Sequence, residues 1–214
     1  MTTPTDDPRY SGLLSVSGVD AKRFLQGQLT CDLEEVTPSE TRLGAHCNPS
    51  GRIISLFRLS LFQDSYHLAM PKEMVPIAMA AFKKYAVFFK VTLTDASETL
   101  IKNKQETAPH FSHYTDIMAG IPMIYPETSE KFLPHDINLP LLNGVSFSKG
   151  CYTGQEIIAR VQYRGKSKKH LSRIRFTTEK SLRRGENIEE GTLVDYVQTG
   201  YNTYELLIIT QETN

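Results

Sequence analysis

The sequence predicts an α+β fold: an antiparallel sheet with helices on one face, followed by a small β-rich C-terminal unit in the manner of a partial barrel. Three observations predict it. The apolar runs RIISLFRLSLF and YHLAM flank the polar turn QDS at 63–65, the pattern of a hairpin. Helical periodicity is confined to short stretches between such runs, so the helices layer onto the sheet. From Lys168 onward come the strand-like pieces HLSRIRFTT, GTLVDYV and TYELLIIT.

Each element carries its own signal. Asp20 stands where a helix N-cap belongs, before AKRFLQGQL, whose Phe24, Leu25 and Leu29 fall on one face. LGAHC at 43–47 is a strand ahead of the hairpin. Pro71 and Pro76 bracket the start of a helix that runs to about Tyr85, because proline suits a first turn whose amides lack partners. VFFKVTLTD reads as another strand, and residues 97–118, polar and aperiodic, as a connection. AGIP at 119–122 and LPHDINLPLLNGVSF at 133–147 read as loop with short turns. A helix starts near Thr153 and is stopped by Gly165. The chain is expected to divide into domains at 1–165 and 166–214.

Composition excludes several classes. With 40% hydrophobic and 22% charged residues over 214 positions, the chain can bury a full core without staples. No stretch approaches the roughly 20 apolar residues of a membrane span. The opening MTTPTDDPRY is acidic and lacks an apolar core, unlike a secretory leader, so a cytoplasmic location is expected. Cys31, Cys47 and Cys151 lie far apart, with no CxxC pair and no Cys/His cluster, which argues against a zinc site, a complete cluster site or a disulfide framework. Cys31 and Cys47 read as buried free thiols.

Charge is balanced at 24 basic and 24 acidic residues but unevenly placed. Eleven Lys and Arg fall between Lys149 and Arg184, opposed by Glu156 and Glu179 alone. Such a block favours an anionic partner, whether polyglutamylated folate, nucleic acid or an acidic protein. A merely solvated basic face is the alternative.

The run FSKGCYTGQEIIARVQYRGKSKKHL at 147–171 resembles the signature of the YgfZ family, folate-binding relatives of the glycine cleavage T protein. AGIP and LPHDINLPLLNGVSF stand where that family has similar words, and FLQGQLTCD at 24–32 and NPSGRI at 48–53 resemble its opening. The resemblance implies a T protein-like fold around a channel that binds tetrahydrofolate or another reduced folate. It also implies an accessory role in the assembly, repair or maintenance of iron–sulfur client proteins, including enzymes that modify transfer RNA. Relative to longer members, the connection between VTLTD and AGIP is short, so part of the middle module is reduced.

Two departures separate the chain from catalytic T proteins. Those carry paired aspartates after the glycine turn, where this chain reads Gly51-Arg52-Ile53-Ile54-Ser55-Leu56. They also carry a glutamate before the Ala-Gly of the AGIP-like word, where this chain has Met118. Neither Ser55 nor Met118 can hold or move a proton as a carboxylate does. A folate-dependent aminomethyl or methyl transferase, or demethylase, is therefore the second reading and not the first. An RNA-binding module is the third, weighed down by having only Tyr152, Tyr163 and Phe176 as aromatics in the basic block.

A folate pocket needs amides for the pterin edge, apolar walls and a cation for the glutamate tail. Gln26, Gln28, Asn48 and Gln155 offer the amides. Phe24, Tyr85 and Tyr152 offer walls, and Arg52, Lys90 or Arg160 the cation. Cys151 is the cysteine inside the motif, with Lys149 two places before it and a helix start after it. Both neighbours favour thiolate over thiol, so Cys151 is the expected functional group. Many T proteins have phenylalanine at the corresponding place. Glu156 and Arg160, at i and i+4, are expected to pair structurally.

Overall fold

The fold begins with a strand that periodicity alone does not reveal. The computed structural model describes residues 11–98, 113–165 and 167–211. In it β1 (Gly12–Ser17) pairs antiparallel with β4 (Ser65–Met70) on one side and β5 (Thr92–Asp95) on the other. With β2 (Arg42–Cys47) and β3 (Ile53–Phe62) they form a five-stranded sheet in the order β2-β3-β4-β1-β5. The β3–β4 hairpin closes at Gln63 and Asp64, both at positive φ (46° and 62°), which matches the right-handed twist of the strands.

One face of this sheet carries Leu14, Leu59 and Leu68 in cross-strand register. It is covered by α1 (Ala21–Gln26) and α2 (Met74–Ala86), whose Phe24 and Phe82 are fully buried. Gly12 admits α2 to the sheet, since a Cβ there would lie 2.6 Å from Val75 Cγ2. The other face meets α3 (His113–Met118) and the long loop after it. Arg58 Nη2 donates to Asp116 Oδ1 at 2.8 Å, Ser129 Oγ donates to the Ile54 carbonyl at 2.8 Å, and Glu130 N donates to the Ile53 carbonyl at 2.7 Å. β3 is thus buried on both sides from Ile53 to Phe57. That is why RIISLF reads as a continuous apolar run. Each fully buried Leu or Phe contributes about 1.5–3 kcal/mol.

The C-terminal sheet is antiparallel in the order β6 (Lys169–Thr177), β9 (Thr203–Gln211), β8 (Gly191–Gly200), β7 (Asn187–Ile188). Leu171, Val194, Leu207 and Ile209 pack into the same core as the first sheet, and Leu193, Leu206 and Ile208 form a smaller one. A buried carboxylate fastens the join: Asp195 accepts from Arg184 Nε (3.1 Å) and from Met123 N (3.0 Å). The Arg184 guanidinium also lies 3.7 Å from the Tyr125 ring centroid.

Several sequence expectations change. Of VFFKVTLTD only Thr92–Asp95 is strand; Phe89 N closes onto the Ala86 carbonyl, and Val87 and Phe88 are exposed. α1 ends at Gln26, and Asp20 caps nothing with its side chain. Its carboxylate accepts instead from Lys90 N at 2.8 Å, tying the start of α1 to the chain entering β5. The supposed connection 97–118 contains α3, while 99–112 lies outside the described residues. The helix of the motif, α4 (Gln155–Arg164), ends at Gly165 as read but starts after Thr153, because Gly154 is left-handed at φ 83°.

Candidate functional site

The family-like motif is stitched to a segment about 120 positions earlier. Thr30 Oγ1 donates to the Gly144 carbonyl (2.6 Å), Ser146 N to the Thr30 carbonyl (2.8 Å), and Thr153 N to the Gly27 carbonyl (3.2 Å). Thr153 Oγ1 donates to Gln28 Oε1 at 3.3 Å. The strongest stitch is Lys149, whose buried ammonium donates to the Leu29 and Cys31 carbonyls, each at 2.8 Å, and lies 5.1 Å from the Tyr152 ring centroid. Burial pushes this lysine down to about 8, opposed by the nearby Cys31 and Asp32.

A second contact sets the position of α4. Gly51, at φ 74°, and Gly154 face each other: a Cβ on Gly154 would lie 2.6 Å from the Asn48 carbonyl oxygen and 3.0 Å from Gly51 Cα. A Cβ on Gly51 would in turn lie 3.1 Å from Ile157 Cβ. Two glycines let the turn at 48–52 and the start of α4 approach backbone to backbone. Where they meet, an open depression of about 530 Å³ is lined by Pro49, Cys151, Tyr152, Gln155, Glu156 and Ala159. Cys151 is exposed, whereas Cys31 and Cys47 are buried as expected. Burial raises both of those thiols, Cys31 to about 11. The Tyr152 hydroxyl is buried with no hydrogen-bond partner among the described residues, and burial raises its pKa well above the usual phenol range.

Of the residues proposed from sequence, the fold brings Cys151, Tyr152 and Gln155 to this depression. Gln28 stands one contact behind it, through Thr153. Asn48 and Arg52 form the adjoining turn: Asn48 Oδ1 accepts from Arg52 N (3.0 Å), and Arg52 Nη1 donates to the Lys131 carbonyl (2.6 Å). Gln26 is engaged elsewhere, donating to Asp32 Oδ1 and accepting from Leu33 N, where it braces a 3-10 turn. Phe24 lies in the core against Phe82 and Phe89. Tyr85 is half-buried at the end of α2, and Lys90 meets Asp20 through its backbone. Arg160 pairs with Glu156 at 3.1 Å, as read.

The geometry also corrects the reasoning about the thiol. Lys149 Nζ is held by the Leu29 and Cys31 carbonyls rather than committed to the thiol, whereas the start of α4, at Gln155 and Glu156, lines the same depression as Cys151. Pro49, Glu156 and Ala159 line the depression with no warning from sequence, since only the glycine contact brings the turn to the helix. His46 and Ser55 are a second surprise. They are cross-strand partners, fully buried, and their polar side-chain atoms have no hydrogen-bond partner among the described residues. His46 stacks on Phe82 at 4.2 Å, and burial lowers it to about 3, so its imidazole is neutral. Ser55, which the sequence resemblance sets against a T protein carboxylate, is thus inside the helix-facing core. Met118 is exposed, its sulfur accepting from Arg173 Nη1 at 2.6 Å.

Comparison with known proteins gives the lineage. No family model matches the chain. An uncharacterized protein of Haemophilus influenzae is 31% identical over 88% of this chain and 79% of its own length. The "tRNA-modifying protein YgfZ" of Hamiltonella defensa is 31% identical over 88% of this chain and 75% of its own, and that of Vibrio vulnificus 31% over 76% and 67%. The chain belongs to the YgfZ family. Among solved structures, glycine cleavage system aminomethyltransferase T from Bartonella henselae superposes with a TM-score of 0.66, covering 95% of this chain and 77% of that one at 13% identity. This YgfZ-family chain therefore has the T protein fold, with an antiparallel α+β body and a curled C-terminal sheet. Among the described residues no helix is long and apolar enough to cross a membrane.

Proposed function

We propose that this YgfZ-family protein binds tetrahydrofolate or a related reduced folate beside Cys151 and serves as an accessory factor for iron–sulfur client proteins, among them enzymes that modify transfer RNA, in the cytoplasm. The observation that carries the reading is the depression built from the family motif itself, with Cys151 exposed at its edge. The residues present fit a folate. Pro49 and Ala159 supply apolar wall, Gln155 an amide for the pterin edge, and the unpartnered Tyr152 hydroxyl a further polar group. Arg52, on the adjoining turn, is the cation nearest in sequence to Pro49 and is proposed for the glutamate tail. A bound reduced folate would supply one-carbon or redox chemistry; the protein's own part is to hold it and to present the thiol. The relatives in Vibrio vulnificus and Hamiltonella defensa are named tRNA-modifying proteins, which supports the link to transfer RNA.

We further infer that the protein is not an aminomethyltransferase, because Ser55 is buried in the core and Met118 carries no charge. A lost general acid or base typically costs 10²–10⁴-fold. The domain division at residue 165 is retained in this reading, the strand pairings of each sheet falling on one side of it.

Calorimetric titration with tetrahydrofolate tests the first part: saturable binding weakened by Gln155→Ala is expected, and no binding at millimolar folate would overturn it. Complementation of cells lacking the native factor tests the second. Cys151→Ala should fail to support iron–sulfur enzyme activity while Cys31→Ala and Cys47→Ala succeed, and an active Cys151→Ala variant would show the thiol to be dispensable.

A further inference from the structure

The fold divides the basic block into cations that have a partner within the protein and cations left to solvent. Lys149 holds backbone carbonyls, Arg184 meets Asp195, Arg175 meets Glu205 at 2.8 Å, and Arg173 points at the Met118 sulfur. Arg164, Lys168 and Lys169 have no acidic partner among the described residues and are exposed. Arg160, Tyr163 and Arg164 share one stripe of α4 at i, i+3 and i+4. Lys168 and Lys169 continue past Gly165 into β6.

Tyr163 is the feature that a solvated basic face does not explain. It is 70% exposed, yet its ring is braced. It stands edge-on to Phe147 with centroids 6.0 Å apart at 73°, and Phe147 in turn meets His135 at 6.3 Å. His135 Nε2 is hydrogen-bonded to Gln162 Oε1 at 3.1 Å on the same helix. The other two aromatics of the block are unavailable, Tyr152 being buried and Phe176 packed in the smaller core. A carboxylate on this stripe, Glu156, is paired with Arg160, and Asp136 nearby is buried and accepts from Leu133 N and Ser167 Oγ. Glu156 and Ala159 also line the depression that holds Cys151, so the stripe leads from that depression to β6.

We propose that this stripe binds single-stranded nucleic acid, with phosphates on Arg160, Arg164, Lys168 and Lys169 and a base stacked on Tyr163. A flexible strand matches both parts of the surface: the cations track its backbone and the fixed ring takes the π-face of a base. An acidic peptide would use the cations and leave the braced, exposed phenol ring without a role. The inference stands apart from the folate proposal above, which gives the glutamate tail to Arg52; Arg160, a tail candidate from sequence, is here assigned to a phosphate, and Arg164, Lys168, Lys169 and Tyr163 have no part in folate binding.

Fluorescence anisotropy of labelled oligouridylate, oligothymidylate and oligoglutamate against the full chain tests it. Both oligonucleotides should bind and oligoglutamate should not compete; tighter binding of oligouridylate would assign RNA as the source, and parity a general single-strand surface. Four phosphate contacts predict a log–log salt slope of about −2.8, so raising salt from about 50 to about 200 mM should weaken binding on the order of 50-fold. Arg164→Ala should reduce the slope by about 0.7. Tyr163→Ala should weaken binding at least about fivefold, and Tyr163→Phe should stay within about twofold of wild type, since the phenyl ring still stacks. Equal or tighter binding of oligoglutamate would assign the surface to an acidic protein and overturn the proposal. So would unchanged affinity in Tyr163→Ala, or no binding of either oligonucleotide by the wild-type chain. Thermal melts of the variants, all at exposed positions, confirm that the fold is kept.

Discussion

The motif KGCYTGQE contains two glycines that look equivalent in sequence and are not equivalent in the fold. Gly154→Ala places a methyl group 2.6 Å from the Asn48 carbonyl oxygen and 3.0 Å from Gly51 Cα, both backbone atoms that cannot swing aside. It also puts an L-residue at φ 83°, which costs about 1–2 kcal/mol by itself. Forcing the turn and the helix apart adds about 1–3 kcal/mol of overpacking. Together the change should cost about 2–5 kcal/mol. Gly150→Ala, four positions earlier, meets nothing within 4 Å and lies outside the left-handed region, so it should stay within about 0.5 kcal/mol of wild type. Urea denaturation of the two variants measures the difference, and alkylation of Cys151 serves as a local reporter, because the depression around it is formed by that contact. Equal costs at the two glycines, or a cost below about 1 kcal/mol at Gly154, would refute the view that the backbone contact builds the site.

Two further outcomes follow from buried charge. Lys149 is protonated in both folded and unfolded chains below pH about 8; between there and the ordinary lysine value of ~10.4 the unfolded chain holds a proton that the folded chain has released. The unfolded state then binds more protons, so this group makes stability rise with pH across that window, by on the order of 3 kcal/mol. Lys149→Met lacks the rise, so the stability of wild type relative to the variant should grow between pH 7 and about pH 10.5, and a flat difference in urea titrations would show the ammonium to be hydrated. Asp195→Ala should cost about 3–5 kcal/mol and loosen the C-terminal sheet, because it strands Arg184 beneath Tyr125; Glu156→Ala, which breaks an exposed pair, should cost less than about 1 kcal/mol. Thermal unfolding of the two variants side by side checks that ordering.

What the sequence by itself determined was everything governed by neighbours along the chain. The β3–β4 hairpin, α2 beyond its prolines, the stop at Gly165 and the strands of the C-terminal sheet all follow from periodicity and turn chemistry within a few residues. The lineage was legible because the motif words keep their order, and the burial of Cys31 and Cys47 because lone apolar thiols in core runs have little alternative. What only the tertiary structure decided depends on partners far away in sequence. GLLSVS becomes a strand through pairing with β4 and β5, which lie about 50 and 80 positions later. Lys149 looked like the cation beside Cys151; its long side chain instead reaches two carbonyls about 120 positions away, where satisfying buried acceptors outweighs staying in water. Gln26, an amide like Gln155, closes a local turn rather than facing the depression. Local propensity fixes which way a chain bends within a turn or two, whereas the destination of a side chain is fixed by which distant backbone groups the finished fold leaves in need of a partner.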